Sequence, residues 1–157
     1  VGVMLARGMG TEPNLEEGLR WLRLGADAGD PESLMAIGAL HLEGVIPNPD
    51  YAFALATLTE AADQDHAPAM YLLGQMYTQG LGTERDYPAA FEWFRKSADL
   101  GFPPAIMEVA IYYSEGVGVE RDCDAARDYF DAGLATGDPQ FAQARTPLLE
   151  QAGCPLQ

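Results

Sequence analysis

Residues 69–82 read Ala-Met-Tyr-Leu-Leu-Gly-Gln-Met-Tyr-Thr-Gln-Gly-Leu-Gly, and the pattern of this stretch returns every 36 residues along the chain. Within it, Gly80 has counterparts at Gly8, Gly44 and Gly116, with no insertion between copies. The same offset relates four small residues and four larger apolar residues, namely Gly18, Ala54, Ala90 and Ala126, and Leu22, Leu58, Phe94 and Phe130. A fixed period of this length is typical of repeat proteins.

Each period contains two segments with helical spacing of apolar residues, such as Ala90, Phe94 and Ala98. One helix of each copy, called the B helix here, follows a short polar residue that can accept hydrogen bonds from free N–H groups: Asn14, Asp50, Asp86 or Asp122. Asn14 and Glu17 also have the spacing of a capping box. The other helix, called the A helix, has proline near its start in several copies, as at Pro31, Pro103 and Pro139.

These signals predict an all-α solenoid of antiparallel two-helix repeats with essentially no β-structure. We expect A helices near residues 31–43, 67–79, 103–115 and 139–152, and B helices near residues 15–28, 51–64, 87–100 and 123–136. We interpret residues 1–157 as a single domain with a partial repeat 1–30, repeats 31–66, 67–102 and 103–138, and a C-terminal capping helix within 139–157. Because Val1 would fall inside an A helix, we expect the chain to be part of a longer protein.

Composition and charge narrow the possible functions. Of the 157 residues, 48% are apolar and 21% charged, which is typical of a folded domain. The 24 acidic and 9 basic side chains give a net charge of −15, which disfavours nucleic acid and anionic membranes as partners. The sequence contains no run of about 18 to 20 apolar residues, which is the length that a membrane-spanning helix needs. A basic or amphipathic protein segment is the favoured partner.

Residues 69–82, followed by Asp86, Ala90, Trp93, Ala98 and Gly101, resemble a complete Sel-one-like repeat, a relative of the tetratricopeptide repeat. The resemblance covers nearly the whole chain. It implies a right-handed superhelix whose A helices line a concave groove that holds peptides or protein partners. The second copy departs from the pattern: Ile46 replaces the second turn glycine and Asp65 replaces the glycine that closes the B helix.

The family register predicts which residues line the concave groove. They are Met35, Ala39, Leu42 and Glu43 in one repeat, Tyr71, Gln75, Thr78 and Gln79 in the next, and Met107, Ile111, Ser114 and Glu115 in the third. Residues 36 positions apart occupy equivalent places in consecutive repeats, and each such set is called a column here. Met35, Tyr71 and Met107 share one column and could form a strip that binds apolar side chains of a partner. The same strip could instead only pack one A helix against the next. Both interpretations stay open.

Candidate catalytic and metal-binding chemistry is sparse. His41 occupies a column otherwise held by Tyr77 and Tyr113, so we expect a partly buried core residue, and we expect His66 to be solvated. We predict no metal site, no cofactor and no enzymatic activity. A structural subunit that stabilises a larger envelope or membrane-associated assembly is the alternative. A hydrolase of the penicillin-binding or β-lactamase type, suggested by cysteine-rich bacterial relatives, is disfavoured because no Ser-x-x-Lys element is present.

The two cysteines could form a disulfide bond. In an antiparallel hairpin that turns near Gly137 and Asp138, residue 123 would lie opposite residue 152, only two residues from Cys154. A bond between Cys123 and Cys154 would favour the periplasm or secretion over the cytoplasm. The alternative is two reduced thiols, so the localisation stays open.

Overall fold

The computed structural model describes residues 1–10 and 12–156, and these form a right-handed α-solenoid of antiparallel helix pairs. Gln157, within the predicted capping segment, lies outside the described residues. Helices and turns account for the described part of the chain, which has no β-strand. The helices are α1 (Gly2–Arg7), α2 (Leu15–Asp27), α3 (Pro31–Leu42), α4 (Tyr51–Ala62), α5 (Ala67–Gln79), α6 (Tyr87–Asp99), α7 (Pro103–Glu115), α8 (Cys123–Ala135) and α9 (Pro139–Gln151).

The predicted helix starts are confirmed, and the predicted ends are up to two residues too long. Asn14, Asp50, Asp86 and Asp122 each accept a hydrogen bond from a backbone N–H of the first turn, at 2.9 to 3.0 Å. The capping box is only half formed, because the Glu17 carboxylate pairs with Arg20 instead of returning to the Asn14 N–H. All four B helices and the first and last A helices end one or two residues earlier than predicted because their last predicted residues belong to the cap turns.

The core consists of three apolar clusters that follow one another along the solenoid. Each cluster joins an A helix to its own B helix and to the neighbouring repeat, so no repeat has a core of its own. The fully buried large side chains include Leu40, Leu58, Leu73, Met76, Phe94, Phe130, Phe141 and Leu149. None of the described helices is long and apolar enough to cross a membrane.

In the second repeat, Asp65 and Asn48 adopt the left-handed backbone conformation at turns where glycine is absent. Asp65 has φ 58°, the left-handed conformation that Gly29, Gly101 and Gly137 adopt at the same position in the other repeats. Asp and Asn tolerate this conformation better than other side chains. Ile46 packs against the first apolar cluster instead of making a glycine turn, and Asn48, with φ 53°, turns the loop.

The altered loop of the second repeat also changes one cap contact. In the other repeats, the backbone N–H of Asn14, Asp86 or Asp122 donates to the carbonyl of Leu5, Tyr77 or Tyr113, respectively, at 2.8 to 3.0 Å. In the second repeat, the N–H of Asp50 donates to Nδ1 of His41 at 3.1 Å. The imidazole therefore replaces a backbone carbonyl as the acceptor, and His41 is 8% exposed, as the expectation of a core residue requires.

The C-terminal helix α9 covers the last repeat through one large side chain. Phe141 is 1% exposed, and its ring lies where a Cβ on Gly133 would come within 2.0 Å of it. The equivalent pairs of the preceding repeats are Ala61 with Ala69 and Ser97 with Ala105. The larger Phe141 is thus matched by the smaller Gly133, and α9 continues through Pro147 with its outer face exposed.

A disulfide bond between Cys123 and Cys154, with the Cα atoms 5.4 Å apart, joins the start of α8 to the residues after α9. Cys154 is 4% exposed. Arg121 supports the same contact: its guanidinium donates to the carbonyls of Ser114, at 3.0 Å, and Ala152. The bond and the arginine hold the cap helix against the last repeat.

We predict that Gly133→Ala destabilises the fold by about 1 to 3 kcal/mol, because the new methyl group overlaps the Phe141 ring. Phe141→Ala alone should cost about 3 to 5 kcal/mol by leaving a cavity. The double variant restores the Ala61 and Ala69 type of pair, so its loss should be smaller than the sum of the two single losses. Urea denaturation followed by circular dichroism measures all three, and strictly additive losses would contradict the proposed size match.

We predict that the double variant Cys123→Ala and Cys154→Ala loses stability mainly in α8 and α9. The bond closes a loop with a sequence separation of 31 residues, for which the chain-entropy account gives about 3 to 4 kcal/mol. Amide hydrogen exchange should show faster exchange in α9 than in α5, and the reduced native chain should behave in the same way. Unchanged protection of α9 would show that packing alone holds the cap.

Candidate functional site

A first groove cavity of about 200 Å³ lies between the neighbouring A helices α3 and α5. It brings together five of the residues predicted for the concave face: Ala39, Leu42, Glu43, Gln75 and Gln79. Its other lining residues, Leu72, Met76 and Leu81, were not predicted. The family resemblance indicated only four positions of each A helix, so it missed the positions of Leu72 and Met76 and the turn residue Leu81. The cavity combines an apolar floor with amide side chains at its edge.

Glu43 in this cavity already binds a basic side chain of the chain itself. The Arg7 guanidinium lies 2.6 and 2.7 Å from the two Glu43 oxygens. Arg7 and Glu43 occupy the same column in consecutive repeats, which Gln79 and Glu115 continue. A carboxylate of one A helix can therefore hold a guanidinium presented from the neighbouring repeat.

A second groove cavity of about 230 Å³ lies between α5, α7 and the start of α9. Tyr71 and Met107 line it, together with Glu108 and residues 138–141 except Pro139. The Tyr71 ring is fixed, since its centroid lies 5.5 Å from the centroids of both Phe94 and Phe102. Its hydroxyl accepts a hydrogen bond from Gln75 at 3.0 Å. Met35, the third member of the predicted strip, does not line this cavity and packs against the second apolar cluster.

Two of the predicted groove residues contribute little or no surface, and the hydroxyl group of a third is already hydrogen-bonded. Ser114 is 1% exposed and donates to the Ile111 carbonyl at 2.9 Å, so it cannot contact a partner. Ala39 is 6% exposed. The Thr78 hydroxyl is engaged with the Gly74 carbonyl at 2.9 Å and the Tyr112 hydroxyl at 2.7 Å. Ile111 is half-buried, and Glu115 is exposed.

Glu108 is the carboxylate in the groove that the sequence analysis did not single out. Burial raises the pKa of Glu108 above its ordinary 4.5, and the nearby charge of Glu115 raises it further. Burial also raises the pKa of Tyr71, with a smaller contribution from the charge of Glu108. A signal existed in the sequence, because Glu108 follows Ala36 and Leu72 in an otherwise apolar column.

Both histidines have structural roles. His66 caps α5 by accepting a hydrogen bond from the Ala69 N–H at 3.3 Å, and its other ring nitrogen lies 3.1 Å from Glu32. Its side chain is 15% exposed, so the expectation that it is solvated was wrong. Within residues 1–10 and 12–156, no group of His, Cys, Asp and Glu has the arrangement of a metal site.

The fold and the groove define a class of protein, the α-solenoid repeat proteins with a groove lined by the first helix of each repeat. Within this class, the family model described as Sel1 repeat matches residues 1–30, 31–66, 67–102 and 103–133. The chain belongs to the Sel1 repeat family, whose members typically serve as protein-interaction scaffolds and are generally not enzymes. No curated protein sequence matches the chain.

Solved structures of bacterial proteins share the fold. A Sel1 repeat protein from Oxalobacter formigenes is 26% identical, with a TM-score of 0.80 over 89% of this chain and 56% of that one. The protein c5321, a protective antigen of uropathogenic Escherichia coli with an SLR fold, is 31% identical, with a TM-score of 0.80 over 89% of this chain and 30% of that one. Helicobacter pylori cysteine-rich protein B is 14% identical, with a TM-score of 0.65 over 82% of this chain and 92% of that one. The chain thus spans about half or less of the first two proteins.

We predict that His41 titrates below its ordinary pKa of 6.5, chiefly because burial disfavours the charged imidazole. Since the folded-state pKa is lower than the unfolded one, the unfolded chain binds more protons near pH 6, and the free energy of unfolding falls as the pH drops below about 6.5. Proton NMR of the two imidazoles measures the pKa. The His41→Gln variant should lose this part of the pH dependence, whereas His66→Gln should keep it. A His41 pKa above 6.5 would contradict its role as a neutral acceptor.

Proposed function

We propose that this chain holds a protein segment in the groove formed by its A helices. The observation that supports this most strongly is the pair of cavities between neighbouring A helices, since together they contain seven of the twelve predicted groove residues. Each cavity is smaller than the roughly 300 to 1,000 Å³ of a typical small-molecule site. Their size suits single side chains of an extended or helical segment.

The charge of the groove supports a basic or amphipathic segment. Glu108 and Glu115 lie on α7, and Glu115 is exposed. The one basic residue in the column of Glu115 is Arg7, and it is paired with Glu43. The net charge of −15 also attracts a basic partner over a distance of about 8 Å at physiological salt. The apolar floor of Leu42, Leu72 and Met76 would bind the apolar side chains of the same segment. The negative charge disfavours nucleic acid.

The disulfide bond supports an oxidising location for this binding, in the periplasm or outside the cell. Disulfide bonds are uncommon in the reducing cytoplasm of most bacteria. Binding partners of this chain would then be secreted, periplasmic or surface-exposed proteins.

A second function, as a structural subunit of a larger assembly, would use a different surface. Exposed apolar side chains lie at the α1 and α2 end of the solenoid, among them Met4, which is 51% exposed, and Trp21, which is 46% exposed. Val1 and Trp21 line one cavity there, so the patch is partly continuous. A partner bound at this end would be insensitive to changes in the groove.

Peptides selected from a random display library on the immobilised chain test the groove function. We expect the selected peptides to be basic or amphipathic. The double variant Gln79→Lys and Glu115→Lys changes two exposed groove residues, and we expect it to weaken the peptides about tenfold or more, as measured by fluorescence anisotropy. The control variant Gln64→Lys and Asp63→Lys makes the same charge change at exposed residues after α4 and should change the affinity less than about twofold.

Circular dichroism must show that both variants retain the native helix content. Equal affinity of the native chain and the groove variant would contradict the groove assignment. Equal losses in both variants would show that the overall charge, rather than the groove, attracts the peptides.

A further inference from the structure

We propose that the cavity between α5, α7 and α9 is a specificity pocket for one arginine side chain of the bound segment, with the guanidinium paired to Glu108 and lying over the Tyr71 ring. This proposal rests on the proposed function, because it names the residue that the groove would select. It adds a chemical identity to the partner that neither the family nor the fold supplies.

The first reason is that no basic side chain of the described residues forms an ion pair with Glu108. The acidic partner in each ion pair of the described residues is a residue other than Glu108. Lys96 lies over the Trp93 ring at 4.2 Å, and Arg121 donates to backbone carbonyls. Asp138, the other acid of the cavity, caps α9 by accepting from the Gln140 N–H at 2.9 Å. The positive end of α9 compensates the charge of the Asp138 carboxylate.

The second reason is the shape and chemistry of the cavity walls. The Tyr71 ring, Met107 and Pro104 offer apolar surface to the three methylene groups of an arginine, and Glu108 offers the charge for its head. The Tyr71 ring is held by Phe94, Phe102 and the Gln75 hydrogen bond, so its face does not need to be ordered when a ligand binds. A cation over an aromatic face gains about 0.5 to 2 kcal/mol, depending on its desolvation.

The third reason distinguishes arginine from lysine. A planar guanidinium can pair with a carboxylate through two parallel hydrogen bonds and stack on an aromatic ring, and it is less strongly hydrated than an ammonium group. The chain already contains a contact between a guanidinium and a carboxylate in the groove, where Nη2 of Arg7 lies 2.6 and 2.7 Å from the two oxygens of Glu43. Burial of the unpaired Glu108 carboxylate, which raises its pKa, would be compensated by the same kind of contact.

The test uses the whole chain and a small probe, N-acetyl-L-arginine amide, titrated to tens of millimolar and followed by NMR of the Tyr71 ring and the Glu108 carboxyl. We expect saturable shifts with a Kd in the millimolar range, as suits a single side chain. N-acetyl-L-citrulline amide, which has nearly the same shape without the charge, should bind about tenfold more weakly or not at all. Equal binding of the two compounds would overturn the proposal.

Two variants separate the pocket from the general negative charge. Glu108→Gln should lose the shifts caused by the arginine compound, while Glu84→Gln, which removes the same charge from an exposed loop residue outside both groove cavities, should keep them. Glu108→Gln should also be at least as stable as the native chain at pH 7, because the ionised carboxylate is unfavourable in the free fold. A clear loss of stability would mean that Glu108 has a structural partner and would overturn the proposal.

The lysine compound, N-acetyl-L-lysine amide, tests the choice of cation. Weaker binding than the arginine compound supports the stacked guanidinium, and equal binding would overturn the assignment to arginine. The outcome is separate from that of the proposed function. If peptides bind in the groove without any dependence on Glu108, the arginine pocket fails alone. If the arginine compound binds Glu108 but no peptide occupies the groove, the proposed function fails while the pocket stands.

Discussion

The close approach of each A helix to its B helix is the constraint on which the rest of the structure depends. Gly38 and Gly74 on the A helices face Leu58 and Phe94 on the B helices so closely that an added Cβ would lie 2.5 Å from the opposing side chain. In an unshifted backbone such overlap is repulsive, and relief of the overlap would separate the helices. The helix pair sets the position of the next pair, and the angle between successive pairs produces the groove. The groove is therefore a consequence of small residues on the inner face of each repeat.

The period and the capping residues carried most of the information about the fold. One Asn and three Asp at the same cap position, and four copies of the same turn glycine, restrict where helices begin and end, and the structure follows them within two residues. The second repeat was harder to predict. There, Asp65 adopts the backbone conformation that glycine has in the other repeats, and the His41 imidazole replaces a backbone carbonyl as a hydrogen-bond acceptor. Substitutions of this kind depend on loop geometry, which the spacing of residues in the sequence does not contain.

The groove was less predictable than the fold for a physical reason. Periodicity assigns a residue to a face of its helix, but its exposure depends on the side chains of the next repeat. Ser114 belongs to a predicted groove column and is still covered, whereas Leu72 and Glu108 share a column that was not predicted for the groove and each line a cavity. Glu108 differs from Ala36 and Leu72 at equivalent positions in its charge, because a carboxylate requires access to water or to a cation.

The central claim is that the A-helix groove, and not the B-helix face, is the binding surface of this chain. Site-specific photo-crosslinking of the intact protein to the selected peptides tests it most directly. Benzoylphenylalanine is placed either at Gln79 in the groove or at Gln64 after α4, and both positions are exposed. The account predicts a discrete crosslinked product from position 79 and none from position 64. A product from position 64 alone, or the same product from both positions, would contradict it.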